Sequence, residues 1–287
     1  MQQIYHKKNE LFEVEFYKDK EYTEAFDFMN AKNLYIDGQF NLQTVNCAIE
    51  KSEIKNAQIF IPYIPQGCVN SILSAIVIRN CDDKEYDDYD DVKVLTLSNI
   101  DPMWDDEKIK TITPNLSKYI PENNNVIVFL SEEDQENYQD WFPNQHIGLY
   151  INDGKNDEEF RANNIKSLIS GIADVKKGNI TIFLTNGTEA ELQKAIEIAK
   201  QLKEEYRLNE INLFVLHCFI SLYGGNNYIN GFVSKGDDFP AFYSFGEVFN
   251  KIITTNSTGV SLQKDIERLQ IIDCYDIFNN YLQNKND

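Results

Sequence analysis

The chain has 287 residues, with 46 acids against 27 bases and a formal charge of −19. A field of that sign repels phosphate backbones and anionic lipid surfaces, which excludes nucleic acid and membrane as expected partners. A domain usually takes about 100–200 residues, so this length predicts two domains, and 42% apolar with 13% aromatic residues supports packed cores over disorder.

Five cysteines, at positions 47, 68, 81, 218 and 274, form no C-x-x-C pair. Neither a disulfide framework nor a zinc site is predicted. The N-terminal stretch "MQQIYHKKNELFEVEF" lacks the apolar core of a signal peptide. No apolar run reaches the roughly 18 residues of a membrane span. The expected setting is intracellular, in the cytoplasm.

In chain order, "NLYIDG" (33–38), "AQIFIPYIP" (57–65) and "VKVLTLSN" (92–99) read as buried strands. Between them, "NLQTVNCAIEKSEI" and "VNSILSAIVIRNC" carry apolar residues at helical spacing, as at Ile72, Leu73, Ile76 and Val77. The alternation of strand and helix predicts a parallel sheet. "CDDKEYDDYDD" (81–91) is dense in carboxylates, which are hard-cation ligands, but it has neither the glycine nor the terminal glutamate of an EF-hand loop and reads as a solvated acidic loop. "TPNLSKYIPENNN" (113–125) is rich in proline and asparagine and marks a boundary near 118, giving domains 1–118 and 119–287.

The second series comprises "NVIVFLS" (125–131), "HIGLYIND" (146–153), "NITIFLT" (179–185), "INLFVLHCF" (211–219), "KIITTNS" (251–257) and "LQIIDC" (269–274). A helix over 188–206 shows one apolar stripe of Leu192, Ala195, Ile196, Ala199 and Leu202, fit to pack on a sheet. "SLYGGNNYING" (221–231) reads as a cluster of β-turns or as a loop over a ligand crevice. "FPAFYSFGEVF" (239–249) reads as core packing or as an aromatic contact surface.

The segment "TIFLTNGTEAEL" joins a strand to a helix through Thr185, Asn186, Gly187 and Thr188. A tight turn there would point backbone amides and the helix N-terminus at one centre, which suits a phosphate. Thr188 followed by Glu191 also makes a capping box, which accounts for the same residues structurally. Acids at Glu189 and Glu191 complement the helix dipole and compete with an incoming phosphate. His217 lies within an apolar strand, where it is either a satisfied core histidine or a group at the ligand-facing end of a parallel sheet. The three histidines and the cysteines have no nucleophile motif around them.

Taken together, the series resembles the ribose-phosphate pyrophosphokinase (phosphoribosyl pyrophosphate synthetase) family. "LYIDGQFNLQ" is similar to its F-x-D-G-E segment, with Gln39 in place of the acid. "AQIFIPYIP" resembles its I-P-Y strand, and "NITIFLTNGTEAEL" falls on its signature V-D-D-x-x-D-T-G-G-T. "INLFVLHCFIS" is like A-T-H-x-x-F-S, with His217 on the histidine, and "KIITTNST" is like V-V-T-D-T, with Asn256 on the acid. The resemblance implies two tandem phosphoribosyltransferase-like α/β domains, each a mainly parallel sheet flanked by helices, and assembly as a homo-oligomer. It also implies magnesium-dependent pyrophosphoryl transfer from ATP to ribose 5-phosphate.

This chain departs from the family at the charged positions. Gln66, Gly67, Cys68, Val69 and Asn70 stand where the resemblance puts R-Q-D-R, and Ser98, Asn99 and Ile100 where it puts D-L-H. Glu132, Glu133, Asp134 and Gln135 replace D-x-G-G, and Phe183 and Leu184 occupy the region of the tandem aspartates. Loss of one preorganised charge commonly costs a reaction about 10²–10³-fold. Lys155 and Arg161 are the nearest basic residues to the family's catalytic loop and read as surface charges. The expected function is therefore non-catalytic: a pseudoenzyme in a structural, regulatory or ligand-sensing role, with a homo-oligomeric or other protein partner. The alternative is a divergent phosphoribosyl- or nucleotide-metabolising enzyme that uses magnesium. No catalytic residue and no metal ligand is assigned. Candidate phosphate-binding residues are Thr185, Asn186, Gly187 and Thr188. Candidate nucleotide-binding residues are Asp37, Gly38, Gln39 and His217, with a phosphosugar or nucleotide as ligand.

Overall fold

A computed structural model describes residues 1–52, 56–82, 92–98, 108–122, 124–131, 138–152, 179–206, 208, 210–219, 223–225, 228–233, 242–244, 248–258 and 268–284. The chain divides into two compact units, Met1–Ile112 with Ser257–Gly259 and Cys274–Asp287, and Thr113–Asn256 with Val260–Asp273. The two are taken separately.

The first unit holds β1 (Gln2–Lys8), β2 (Val14–Tyr17), β3 (Asn33–Ile36), α1 (Leu42–Lys51), β4 (Gln58–Ile61), α2 (Val69–Asp82), β5 (Lys93–Thr96) and β6 (Ile109–Thr111). Its sheet runs β2-β1-β3-β4-β5-β6, parallel except for the β1–β2 hairpin. That hairpin was not legible as strand, because its charged residues break the apolar alternation. Side chains alternate across the sheet. Leu34, Ile36, Ile59, Ile61 and Val94 pack with Val45, Ala48 and Ile49 of α1 and Ile72 and Ile76 of α2 in one buried cluster.

Tyr35 and Phe60, of opposite parity in their strands, are covered instead by α5 (Cys274–Asn284): Phe278 lies 5.2 Å from the Phe60 ring and 5.9 Å from Tyr35, with Tyr275 5.6 Å from Tyr35. The Tyr275 hydroxyl also donates to the Met1 carbonyl at 2.9 Å. A single cut near 118 therefore leaves out a feature of the first unit. Its sheet needs a cover on both faces, and the C-terminal helix supplies one of them.

The second unit holds β7 (Asn124–Ser131), a short helix α3 (Tyr138–Trp141), β8 (Ile147–Asn152), β9 (Asn179–Gly187), α4 (Glu189–Tyr206), β10 (Ile211–Cys218), β14 (Lys251–Thr255) and β15 (Leu269–Ile272). All neighbours in the order β15-β14-β10-β9-β7-β8 are parallel. Every residue of β10 is buried, as a strand central to a two-sided parallel sheet requires. Ile180, Ile182, Leu184, Leu213 and Val215 pack on the Leu192, Ala195, Ile196, Ala199 and Leu202 stripe of α4, as its spacing predicts. On the other parity, Phe183 contacts Trp141, Phe142 and Phe214 at 5.0–5.6 Å between ring centroids.

A separate antiparallel sheet joins β11 (Tyr223–Gly225), β12 (Tyr228–Val233) and β13 (Phe242–Ser244). The glycine- and asparagine-rich stretch is thus largely strand, and within the aromatic one residues 242–244 are strand while Val248 and Phe249 are buried. Both architectures agree with an α/β fold of two mainly parallel sheets flanked by helices. Among the described residues no helix is long and apolar enough to cross a membrane.

Candidate functional site

The expected turn at 185–188 is not a turn. Strand β9 continues to Gly187, with His217 opposite Asn186 and Cys218 opposite Gly187 in the ladder with β10. The amide of Phe219 donates to the Gly187 carbonyl at 3.3 Å. Thr188 alone separates strand from helix, so Asn186 and Gly187 are extended and paired with β10 where a tight turn was expected. Gly187 serves packing: a Cβ there would lie 2.5 Å from Val215 Cγ1 and 3.4 Å from the β10 backbone.

Thr188 heads α4 with a complete capping box. Its amide and its hydroxyl both donate to Glu191 Oε2, at 3.2 and 2.8 Å, and the Glu191 amide donates back to Thr188 Oγ1 at 3.4 Å. Such caps contribute about 1 kcal/mol. Here an internal carboxylate also holds two of the donors that an anion at this helix start would use, the amide and hydroxyl of Thr188.

Other positions singled out by the sequence have structural partners. Ser98 is buried, and its hydroxyl accepts the Ile64 amide at 2.8 Å. Phe183 and Leu184 are fully within the core. Asn256 donates from Nδ2 to Asp273 Oδ1 at 3.1 Å. His217 is buried in β10 of the second unit. His146 is exposed. Asn99, Ile100, Asp101, residues 83–91 of the acidic segment, Glu132, Glu133, Asp134, Gln135, Lys155, Arg161 and Ser221 lie outside the described residues.

The resemblance places acids for magnesium where Phe183 and Leu184 of this chain pack into the core. Among the described residues no group of three or more His, Cys, Asp or Glu converges in a way that could hold a metal. Phe183 and Leu184 offer no side-chain oxygen and do not fit the ion.

Asp37, Gly38 and Gln39 do come together, in a cleft of ≈ 340 Å³ lined also by Tyr5, His6, Tyr22, Phe40 and Asn41. The loop from β3 to α1 supplies its residues Asp37 to Asn41. Gly38 has φ +95°, a left-handed conformation that L side chains rarely adopt. Asn41 caps α1, its Oδ1 accepting the Thr44 amide at 3.1 Å. His6 enters from β1, its Nδ1 3.4 Å from Thr44 Oγ1. Burial lowers its imidazole from the ordinary value of 6.5, and the Asp37 backbone hydrogen bond and charge oppose that shift without outweighing it. Sequence reading missed Tyr5, His6, Tyr22, Phe40 and Asn41. The signal was the run of glycine and N-cap in "DGQFN" after a strand, but the hairpin residues that complete the cleft are distant in sequence.

A scan against protein-family models and a search of curated proteins return no match to this chain. Among solved structures, phosphoribosylpyrophosphate synthetase from Mycobacterium smegmatis is similar, with a TM-score of 0.53 and 10% identity over 99% of this chain and 91% of that one. The likeness is one of fold, and it extends over both units.

Proposed function

We propose that this chain is a member of the ribose-phosphate pyrophosphokinase fold that does not transfer pyrophosphate and acts as a structural, regulatory or ligand-sensing protein. The observation that carries the reading is the head of α4. There the Glu191 carboxylate takes both donors of Thr188, in the segment that resembles the family's phosphoribosyl loop. The core burial of Phe183 and Leu184 supports the same reading, since a hydrophobic pair offers no oxygen to a cation. Under this reading Thr185, Asn186, Gly187 and Thr188 are a packed strand-to-helix junction, and any phosphosugar or nucleotide that binds does so without turnover.

Incubation of the full chain with ribose 5-phosphate, ATP and magnesium, with AMP followed by chromatography, tests this directly. The expected result is no AMP above the protein-free blank. AMP released in step with phosphoribosyl pyrophosphate would overturn the proposal in favour of a divergent, magnesium-dependent enzyme. Parallel calorimetric titrations separate a sensor from a scaffold: saturable binding of either compound without AMP identifies a sensor. Light scattering on the same preparation measures whether the chain forms the homo-oligomer that the fold suggests.

A further inference from the structure

We propose that the cleft beside α1 is a binding site for a small organic ammonium ion, with Asp37 as its counter-charge and Tyr5, Tyr22 and Phe40 as aromatic walls. The proposal goes beyond the functional reading above and does not depend on it. Among the described residues that line the cleft, Asp37 is the only acid, and there is no lysine or arginine. The downward shift of His6 leaves its imidazole uncharged at neutral pH. Asp37 is thus the charged group among these lining residues, within a chain whose formal charge of −19 draws cations and repels phosphates.

Aromatic faces beside a carboxylate are the chemistry by which proteins hold ammonium groups. Two of these rings already attract such groups from the chain itself. Lys20 Nζ lies 5.7 Å from the Tyr5 ring centroid, and Lys7 Nζ lies 5.5 Å from that of Tyr22. Both lysines are exposed, so solvent screens the charge that draws them to the rings. A ligand ammonium would compete with them for the rings, with Asp37 as an added contact.

The wall at Tyr22 is built at a conformational cost. Its φ is +57°, where a bulky residue is an outlier. Asp19 enforces it: its carbonyl accepts the Tyr22 amide at 3.2 Å, and its carboxylate accepts the amides of Thr23 at 3.1 Å and Glu24 at 2.8 Å. A salt bridge between Lys18 and Glu24 closes the same turn. Strain that its surroundings over-determine tends to mark ligand clamps, and here it sets an aromatic ring, 40% exposed, at the rim of the cleft. Across the cleft, Gly38 carries no side chain to fill the space beneath.

Calorimetric titration of the full chain with choline, and separately with its neutral isostere 3,3-dimethylbutan-1-ol, reads the charge dependence. Choline is expected to saturate and to bind at least about ten-fold more tightly than the isostere. Asp37→Asn is expected to shrink that difference, and Tyr22→Ala to weaken choline by about ten-fold. If Asp37→Asn fails to fold by circular dichroism, Tyr5→Leu and Phe40→Leu test the aromatic walls in its place. Equal binding of choline and isostere, no saturation by choline, or unchanged affinity in the variants overturns the proposal. So does magnesium-ATP displacing choline with an affinity that Asp37→Asn raises, a result that would return the cleft to a nucleotide. None of these outcomes changes the AMP assay, so the two readings fail independently.

Discussion

Two strand-to-helix junctions of this protein, β3 to α1 and β9 to α4, start from similar residues and end differently. After β3 the chain takes five residues, 37–41, to reach α1, turns at Gly38 with φ +95°, and leaves a cleft over the loop. After β9 it takes one, Thr188, and the space at the helix start is filled by Glu191. Each junction has a glycine and an N-cap, yet the glycines answer different demands. Gly38 is needed for its backbone angle, since a Cβ there would meet nothing closer than His6 Nε2 at 3.9 Å, whereas Gly187 is needed because Val215 leaves no room. A glycine before a helix thus says little about a ligand until the cause of the glycine is known.

The largest expected effect lies at the closed junction. Gly187→Ala should destabilise the protein by about 1–3 kcal/mol through overpacking, read as a lower urea midpoint. Val215 is β-branched and stiff, so the strain is not relieved by a simple rotation. Adding Val215→Ala should make the double variant more stable than the sum of the two single changes predicts, a coupling that double-mutant analysis isolates. Strict additivity would show that Gly187 is not held by packing.

Gly38→Ala at the open junction should cost about 1–2 kcal/mol, the usual penalty for an L residue in the left-handed region. No neighbour substitution should recover it, because nothing clashes. Gly38→Asn should be milder, since asparagine tolerates that region. Equal losses for Ala and Asn would place a steric cause at Gly38 and dissolve the contrast.

What was legible follows the same division between local and distant causes. The strand at 33–38 and the helix over 188–206 announce themselves by periodicity, and Thr188 with Glu191 announces a capping box; each depends on neighbours within a few residues. The extension of β9 to Gly187 was hidden, because Thr185, Asn186 and Gly187 read as turn residues and are held in strand by pairing with Cys218 and His217 of β10. The helix at 274–284 was unread for a related reason: its apolar face, Ile277 and Phe278, makes sense only against a sheet about 200 residues earlier in the chain. The cleft was half legible. Asp37, Gly38 and Gln39 stood out, while Tyr5 and His6 reach it from β1 and Tyr22 from the segment after β2, in a hairpin region that the sequence pattern does not mark.

At the head of α4, Thr188→Ala removes the hydroxyl that donates to Glu191 and accepts its amide, and should cost about 1 kcal/mol. Glu191→Ala has a second, more informative readout. It frees the donors of Thr188 and takes a negative charge from the first turn, so inorganic phosphate should protect the variant against urea while leaving the parent chain unaffected. If phosphate protects the parent equally, the internal carboxylate does not close this junction, and the reading of 185–188 as packed structure fails.

The smallest expected effect is the pH response of the open junction. His6 titrates below 6.5 in the native protein, because burial disfavours its charged form. Below pH 6.5 the unfolded chain therefore binds more protons at this position than the folded one, and stability falls as the pH drops from 6.5 through the native value. His6→Gln removes that proton linkage but leaves the carboxylates that dominate acid unfolding in both proteins. Urea unfolding from about pH 7.5 to about pH 5 should then show the parent losing more stability than the variant, with the gap opening just below 6.5. Parallel curves would mean that the native imidazole titrates as it does in the unfolded chain. In that case the cleft would carry a positive histidine in mild acid, and an ammonium ligand would have to share Asp37 with it.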